Sequence, residues 1–351
     1  MDNNPKKLLK VSEGKKVAIF PHKDPDGDAL SAGFGLQNGI YRKNGIESVI
    51  VHFGVISTAE NQRLYSALSK THPNLFVAYD PNTFNPGDYG FFIGVDTAGN
   101  LLPEGIKLNG AIDHHGDAYK EGDFKEFEYC DVRKPSEIKS ASSIVALYMK
   151  KLGIELSVDD ELDILVATAL SVGIEMDTAR LINRTSLDLE ALGFVEPMVD
   201  QSQRKRILKV EKPKQVALAE AEGVLNSTQV GSYVISSVLR RPKNDRAIVY
   251  TANSLLLMEG ASCSLGLGIL EDDDLLGIAV RTDDDHKLKA SDIAAWWGGQ
   301  GKNYEAWATV DLRFFKDLTG KGSDKKLEQL CMEAVVGRVK RETGERESKD
   351  T

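Results

Sequence analysis

The feature that most limits the fold is an alternation in the first half of the chain, where short apolar runs and helical segments follow one another. Residues 17–20 read as a buried strand and 29–43 as the helix after it, closed by Asn44-Gly45. Residues 48–53 and 59–70 repeat that unit, and 76–79, 91–95 and 110–112 add short runs bounded by Gly, Pro or Asn. Strands that alternate with helices predict an α/β domain on an open, mostly parallel sheet. Such sheets bind ligands beyond the carboxyl ends of their strands. The residues at those ends are His22, Asp96 and the run Asp113-His114-His115.

Two further helices are expected at 140–151 and 158–176, the second with an acidic first turn, Asp159-Asp160-Glu161, and with Asp177 at its far end. Character changes at 196–215, where Pro197 and Asp200 precede Arg204-Lys205-Arg206, Lys209, Lys212 and Lys214. We read 1–195 as one domain, 196–215 as a basic connector and 216–345 as a smaller α+β domain. Its strands are expected at 232–240, 246–257, 262–270 and 275–281, with helices at 289–297 and 327–339 and a frayed charged tail.

The 351 residues are 41% hydrophobic and 28% charged, ordinary material for two globular domains. No apolar run approaches the roughly 20 residues needed to span a bilayer, and the start is polar, so a cytoplasmic protein without a membrane anchor is expected. Cys130, Cys263 and Cys331 are odd in number and far apart, which fits buried free thiols and neither a disulfide framework nor a CxxC zinc site. A net charge of −9 argues against a broad grip on duplex nucleic acid. A small or short anion remains compatible, because bound cations reverse the local field.

The strand-end residues can be weighed as chemistry. His22-x-x-x-Asp26-x-Asp28 places an imidazole and two carboxylates around a turn at Pro25 and Gly27, and Asp96, His114 and Asp177 extend the set. Two histidines and four aspartates exceed what one open ion needs, so two ions are expected about 3.5–4 Å apart, with Asp96 as the best bridge. Hard carboxylates with borderline imidazole suit Mn²⁺, with Mg²⁺, Co²⁺ or Fe²⁺ as competitors, and the lack of thiolates disfavours structural zinc.

In order and spacing, the segments His22 to Asp28, Val95-Asp96, Asp113-His114-His115 and Gly173-Ile174 to Asp177-Thr178 resemble the four motifs of the DHH phosphoesterase superfamily. Its members include RecJ-type exonucleases, oligoribonuclease/pAp phosphatases, cyclic-di-AMP phosphodiesterases, exopolyphosphatase and family II pyrophosphatase. The resemblance covers about residues 15–190. It implies that His22, Asp26 and Asp96 hold one Mn²⁺ and that Asp28, Asp96, His114 and Asp177 hold the other. It further implies that His115 faces the substrate phosphate, that Asp113 supports the histidines, and that water activated by two metals attacks phosphorus in line. Alternation of side chains along an extended segment agrees with separate roles for His114 and His115.

The second half resembles the DHHA1 domain through Gly277 to Arg281, the helix near 290–296 and Gly298-Gly299-Gln300-Gly301. It departs from that domain's glycine motif at Lys302, where His is expected, and at Glu305-Ala306-Trp307. Arg281, Gly298, Gly299, Gly301 and Lys302 are the expected substrate contacts, in a cleft between the domains. Trp296, Trp297 and Trp307 either stack a base or pack on the sheet. His286 is expected as an exposed turn residue. The resulting expectation is a Mn²⁺-dependent phosphoesterase for a short single-stranded oligonucleotide or small nucleotide, with homodimerisation left open. The alternatives are a phosphatase on pAp or polyphosphate, and a binding protein that keeps the metal without turnover.

Overall fold

The computed structural model describes residues 3–71, 75–99, 102–120, 122–209, 212–238, 246–270, 274–313 and 324–344. The chain divides into two compact units, Met1–Glu211 and Lys212–Thr351.

The first unit is built on six strands: β1 (Val17–Pro21), β2 (Ser48–His52), β3 (Phe76–Ala78), β4 (Phe91–Val95), β5 (Gly110–Asp113) and β6 (Tyr129–Val132). Their order is β3-β2-β1-β4-β5-β6, and every pairing is parallel. Helices α1 (Pro5–Ser12), α2 (Gly27–Phe34), α3 (Ala59–Thr71), α4 (Ala141–Lys151), α5 (Glu161–Asp177), α6 (Ser186–Val195) and α7 (Gln201–Ile207) complete it. The central strands are apolar on both faces, as a covered parallel sheet requires. Ile19, Ile50, Ile93 and Ile112 face Leu30 and Phe34 of α2 and Val166 and Leu170 of α5 in one core, while Ala18, Phe20 and Val51 pack in a second. Strand order reverses between β1 and β4, so a crevice opens at the carboxyl ends of those two strands.

Local signals set the helix starts. Asp26 caps α2 by accepting from the backbone N–H of Asp28 and Ala29 at 3.0 and 3.1 Å, and Ser140 and Asp160 cap α4 and α5. The helix expected at 29–43 begins at Gly27, widens to a π turn over Gly35–Tyr41, and ends in left-handed Gly45. The expected connector at 196–215 carries a 3-10 turn, Glu196–Met198, and α7, whose Ile207, with the following Leu208, is buried in the first core. Arg204 pairs with Glu175 and Glu196, and Arg63 donates to the Ile207 carbonyl, so this basic stretch is held on the first unit.

The second unit contains α8 (Lys214–Leu225), β7 (Thr228–Val230), β8 (Tyr233–Ser237), α9 (Arg246–Leu256), β9 (Cys263–Ile269), β10 (Leu275–Thr282), α10 (Ala290–Ala294), β11 (Gln300–Gly301), β12 (Glu305–Asp311) and α11 (Asp324–Thr343). Its sheet order is β11-β12-β10-β9-β8-β7, antiparallel except for the parallel β8–β9 pair. The strand expected at 246–257 is instead α9. Its buried residues Ala247, Ile248, Thr251, Ala252 and Leu255 recur with helical period, and the β-branched content that suggested a strand is overruled by that spacing. Cys130, Cys263 and Cys331 are free thiols. Among the described residues no helix is long and apolar enough to cross a membrane.

Candidate metal centre

The strand ends of the first unit bring the titratable residues together. His22 follows β1, and its Nδ1–H donates to the Lys23 carbonyl at 2.7 Å, which turns Nε2 toward Asp26 and Asp96, each 3.6 Å away. Asp96 follows β4 in a left-handed conformation, φ +59°. For a residue with a side chain this costs roughly 1 kcal/mol or more, and such positions recur at functional sites. The side chain is almost wholly buried, with Oδ1 3.1 Å from His114 Nε2 and 3.6 Å from His115 Nδ1. His114 Nε2 also lies 3.0 Å from Asp177 Oδ2, at the last residue of α5, and 3.9 Å from Asp28 Oδ2.

Asp28 is fully buried at the amino end of α4, where it accepts from Ser140 Oγ at 3.0 Å, Ala141 N–H at 2.6 Å and Ser142 N–H at 2.9 Å. These donors and the helix dipole offset part of the cost of burying this carboxyl beside like charges. They were not recognised from the sequence, although Ser140-Ala141-Ser142-Ser143 is a cap-rich start for a helix. Asp113 is buried and bonded on both oxygens: Oδ1 accepts from His115 N–H at 3.1 Å and Nδ1–H at 2.9 Å, and Oδ2 from Tyr119 O–H at 2.8 Å. That pairing places the His115 proton on Nδ1 and frees Nε2 on a half-exposed ring.

Three overlapping groups have ligand atoms within 4.8 Å of one another: His22, Asp26 and Asp96; Asp28, His114 and Asp177; and Asp96, His114 and His115. Asp96 Oδ1 and His114 Nε2 are buried and close to each other, yet neither makes an aligned hydrogen bond among the described residues. Buried polar atoms without such a bond are rare and costly. These two face one cluster, and its set of carboxylate oxygens and imidazole nitrogens fits divalent cations.

The electrostatics of the ligand-free cluster agree. Burial pushes Asp28 up to about 7, with help from the Asp177 charge, and raises Asp96 well above the carboxylate range. Burial lowers His22 and His114, but contacts with Asp26 and Asp96 for the first, and with Asp177 and Asp96 for the second, outweigh it and bring them up to about 9 and about 11. The imidazoles act as substitute cations in a site crowded with carboxylates.

The expected substrate contacts in the second unit lie on β10 and on the turn and hairpin that lead into β12. Arg281, on β10, donates through Nε to Asn253 Oδ1 and through Nη1 to the Val280 carbonyl, both at 2.8 Å. Gly298 is left-handed, φ +73°, at the end of the Ala295–Trp297 turn, and Gly299 and Gly301 lie so close to β12 that a Cβ on either would strike its backbone. Hairpin packing thus accounts for Gly299 and Gly301, and the left-handed turn for Gly298. Lys302 is exposed, with its N–H on the Glu305 carbonyl at 2.7 Å. Trp307 packs on the cluster of Ile248 and Ala279, and Trp296 and Trp297 on the larger core of the unit. His286 is half-buried rather than exposed, because its two ring nitrogens bond Ser262 Oγ at 2.8 Å and Tyr233 Oη at 2.9 Å.

No protein-family model matches the chain. It is 28% identical over 335 residues to an uncharacterized protein of Methanocaldococcus jannaschii, an alignment that covers 94% of this chain and 66% of that protein's length. Its structure is similar to a crystal structure of an exopolyphosphatase-related protein from Bacteroides fragilis, with a TM-score of 0.65 and 15% identity, covering 95% of this chain and 97% of that one. A pGpG-specific phosphodiesterase from Vibrio cholerae aligns over 89% of this chain and 98% of its own, at a TM-score of 0.40 and 12% identity. The likeness to the Bacteroides fragilis structure shows a shared fold.

Proposed function

We propose that the chain is a phosphoric ester hydrolase that uses two divalent cations, Mn²⁺ by preference, on a short oligonucleotide or small nucleotide. The observation that carries this reading is the convergence of six carboxylate and imidazole side chains from four separate segments, several of them buried. His22, Asp26 and Asp96 would hold one ion, and Asp28, Asp96, His114 and Asp177 the other. When bound, the ions lower the pKa of water and neutralise charge on phosphoryl oxygens.

The protein residues do the rest. Asp113, fixed by Tyr119, keeps the His115 ring oriented with Nε2 outward, so His115 contacts a phosphoryl oxygen as donor or electrostatic stabiliser. Ser140, Ala141 and Ser142 hold Asp28 in place. On the second unit, considered by itself, Arg281 and the Lys302 turn are the residues we assign to nucleotide contact. A cytoplasmic setting accords with three free thiols.

The test is hydrolysis, with Mn²⁺, of two- to five-nucleotide RNA and DNA, pAp, cyclic di-AMP and polyphosphate by the wild type and by Asp96→Ala and His114→Ala. Turnover that requires metal and falls at least about 10³-fold in both variants is expected, in line with losses of about 4 kcal/mol of transition-state stabilisation. Bound metal with no turnover of any member of the panel would leave a binding protein and overturn the enzyme reading.

A further inference from the structure

Beside the metal centre lies a second feature of the first unit, a cavity of about 690 Å³ lined in part by Gly116, Tyr119, Lys120, Phe124, Arg133 and Lys134. Its volume is that of a site for a small ligand. It sits at the carboxyl end of β6, the same edge of the sheet that carries His22, Asp96 and Asp113. One residue joins the two places: the Tyr119 side chain lines the cavity, and its hydroxyl donates to Asp113. Arg133 binds the same loop through its backbone, its N–H on the Asp113 carbonyl at 2.9 Å and its carbonyl on the Gly116 N–H at 2.8 Å.

The charge of the cavity runs against that of the chain. The acidic residues on its wall are occupied: Asp131 takes Arg133 Nε at 2.9 Å and Nη2 at 2.7 Å, and Glu137 accepts from the Lys134 N–H at 3.0 Å. Behind Asp131, Tyr148 O–H donates to it and Tyr129 O–H donates to Tyr148, all within the interior. This buried network holds an arginine with 17% exposure by one edge of its guanidinium and leaves Nη1 without a partner among the described residues. A fully connected buried network fixes geometry. A guanidinium so fixed is suited to phosphate oxygens. Among the described residues Lys120 has no ion-pair partner, and Lys134 has only Asp117, exposed and 3.9 Å away.

Building on the phosphoesterase reading, we propose that this cavity binds a second phosphate of the substrate, through Arg133 with Lys120 and Lys134, while the first is hydrolysed at the metal centre. The substrate is then an anion with at least two phosphate groups. A nucleotide chain, a nucleoside bisphosphate and a polyphosphate share that chemistry.

The experiment compares kcat/KM with Mn²⁺ for bis(p-nitrophenyl) phosphate, which has one phosphate, with that for a 5′-phosphorylated dinucleotide, 3′,5′-bisphosphoadenosine and tripolyphosphate. The arm with the greatest advantage over the single-phosphate substrate names the source of the second phosphate. Loss of one charge-assisted contact predicts that this advantage falls about tenfold or more in Arg133→Gln, mainly through KM, and about three- to tenfold in Lys120→Ala/Lys134→Ala. Arg133→Gln strands the buried Asp131, so Asp131→Asn/Arg133→Gln is measured beside it, and the exposed lysine pair carries the test if neither folds. An advantage unchanged within twofold in the lysine pair overturns the proposal, as does an equal loss on all four substrates. A wild type that hydrolyses none of them overturns the phosphoesterase reading instead. The subsite is then read from calorimetric binding of tripolyphosphate under chelator, where loss in the lysine pair supports it and indifference refutes it.

Discussion

Gly173 ties the packing of the first unit to its proposed metal centre, and Gly173→Ala tests that tie. On α5, a Cβ at this position would strike Ser142 Oγ and stand 2.9 Å from Ser31 Cβ and 3.0 Å from Asp28 Oδ1. These neighbours belong to α2 and α4, so no single side-chain rotation clears the space. Alanine gains about 1 kcal/mol of helix propensity over glycine. Overpacking a filled interior costs about 1–3 kcal/mol, and with neighbours on two helices displaced together the upper end applies. The net loss is then about 2 kcal/mol, which for a unit of this size lowers Tm by about 4–8 °C. Displacing Ser142 also loosens a donor to Asp28, so Mn²⁺ affinity falls along with stability. The assays are calorimetric unfolding in chelator and Mn²⁺ titration of the folded protein. A variant as stable as the wild type with unaltered Mn²⁺ affinity would refute the close approach of α2, α4 and α5 and the route by which it positions Asp28.

Mn²⁺ at about 100 times its dissociation constant should stabilise the first unit by about 2.7 kcal/mol per site, seen as a Tm increase that chelator reverses; no shift on adding Mn²⁺ contradicts the site. In the chelated protein the raised values of Asp28 (about 7), His22 (about 9) and His114 (about 11) mean that the folded chain holds more protons than the unfolded one. Stability should therefore fall as pH rises from about 5 to 9, while the depressed Asp26 and Asp113 act in the opposite sense only at acid pH. Urea midpoints in chelator that increase across that range would show the sign to be wrong. With Mn²⁺ the trend should reverse, because the ion needs deprotonated ligands. Trp307→Ala should cost the second unit about 2–4 kcal/mol, visible in its urea midpoint, since the ring is packing material; an unchanged midpoint with weakened nucleotide binding would restore base stacking. Burial, aided by Asp131, pushes the Cys130 thiol up to about 11, so alkylation by iodoacetamide should be slow at pH 8, and rapid labelling there would refute that environment.

What could be read from the chain and what could not divide along a physical line. The parallel sheet was legible for β1 to β5, each a short apolar run closed by a polar residue, and the proposed ligands were read from those closures: His22 after β1, Asp96 after β4, Asp113 to His115 at and after β5; β6, with Asp131 inside it, carried no such signal. Helix α9 was misread because Ile248, Val249, Tyr250 and Thr251 favour strands locally, while burial of Ala247, Ile248, Thr251, Ala252 and Leu255 against the sheet imposes a helical period. The glycines at 298, 299 and 301 show a different limit. A glycine that admits a ligand and one that admits a neighbouring strand leave the same letter in the sequence, and only the approach of β12 to Gly299 and Gly301 distinguishes them. Arg133 is the converse case. Nothing in Asp131-Val132-Arg133 marks it among the other arginines, since its standing comes from Tyr129 and Tyr148 behind Asp131 and from the Asp113 and Gly116 backbone groups it binds. Residues that touch the reacting group are set by chemistry and keep a recognisable type and order. Residues that orient them are chosen by whatever the fold brings within reach, so they become visible only when the distances are known.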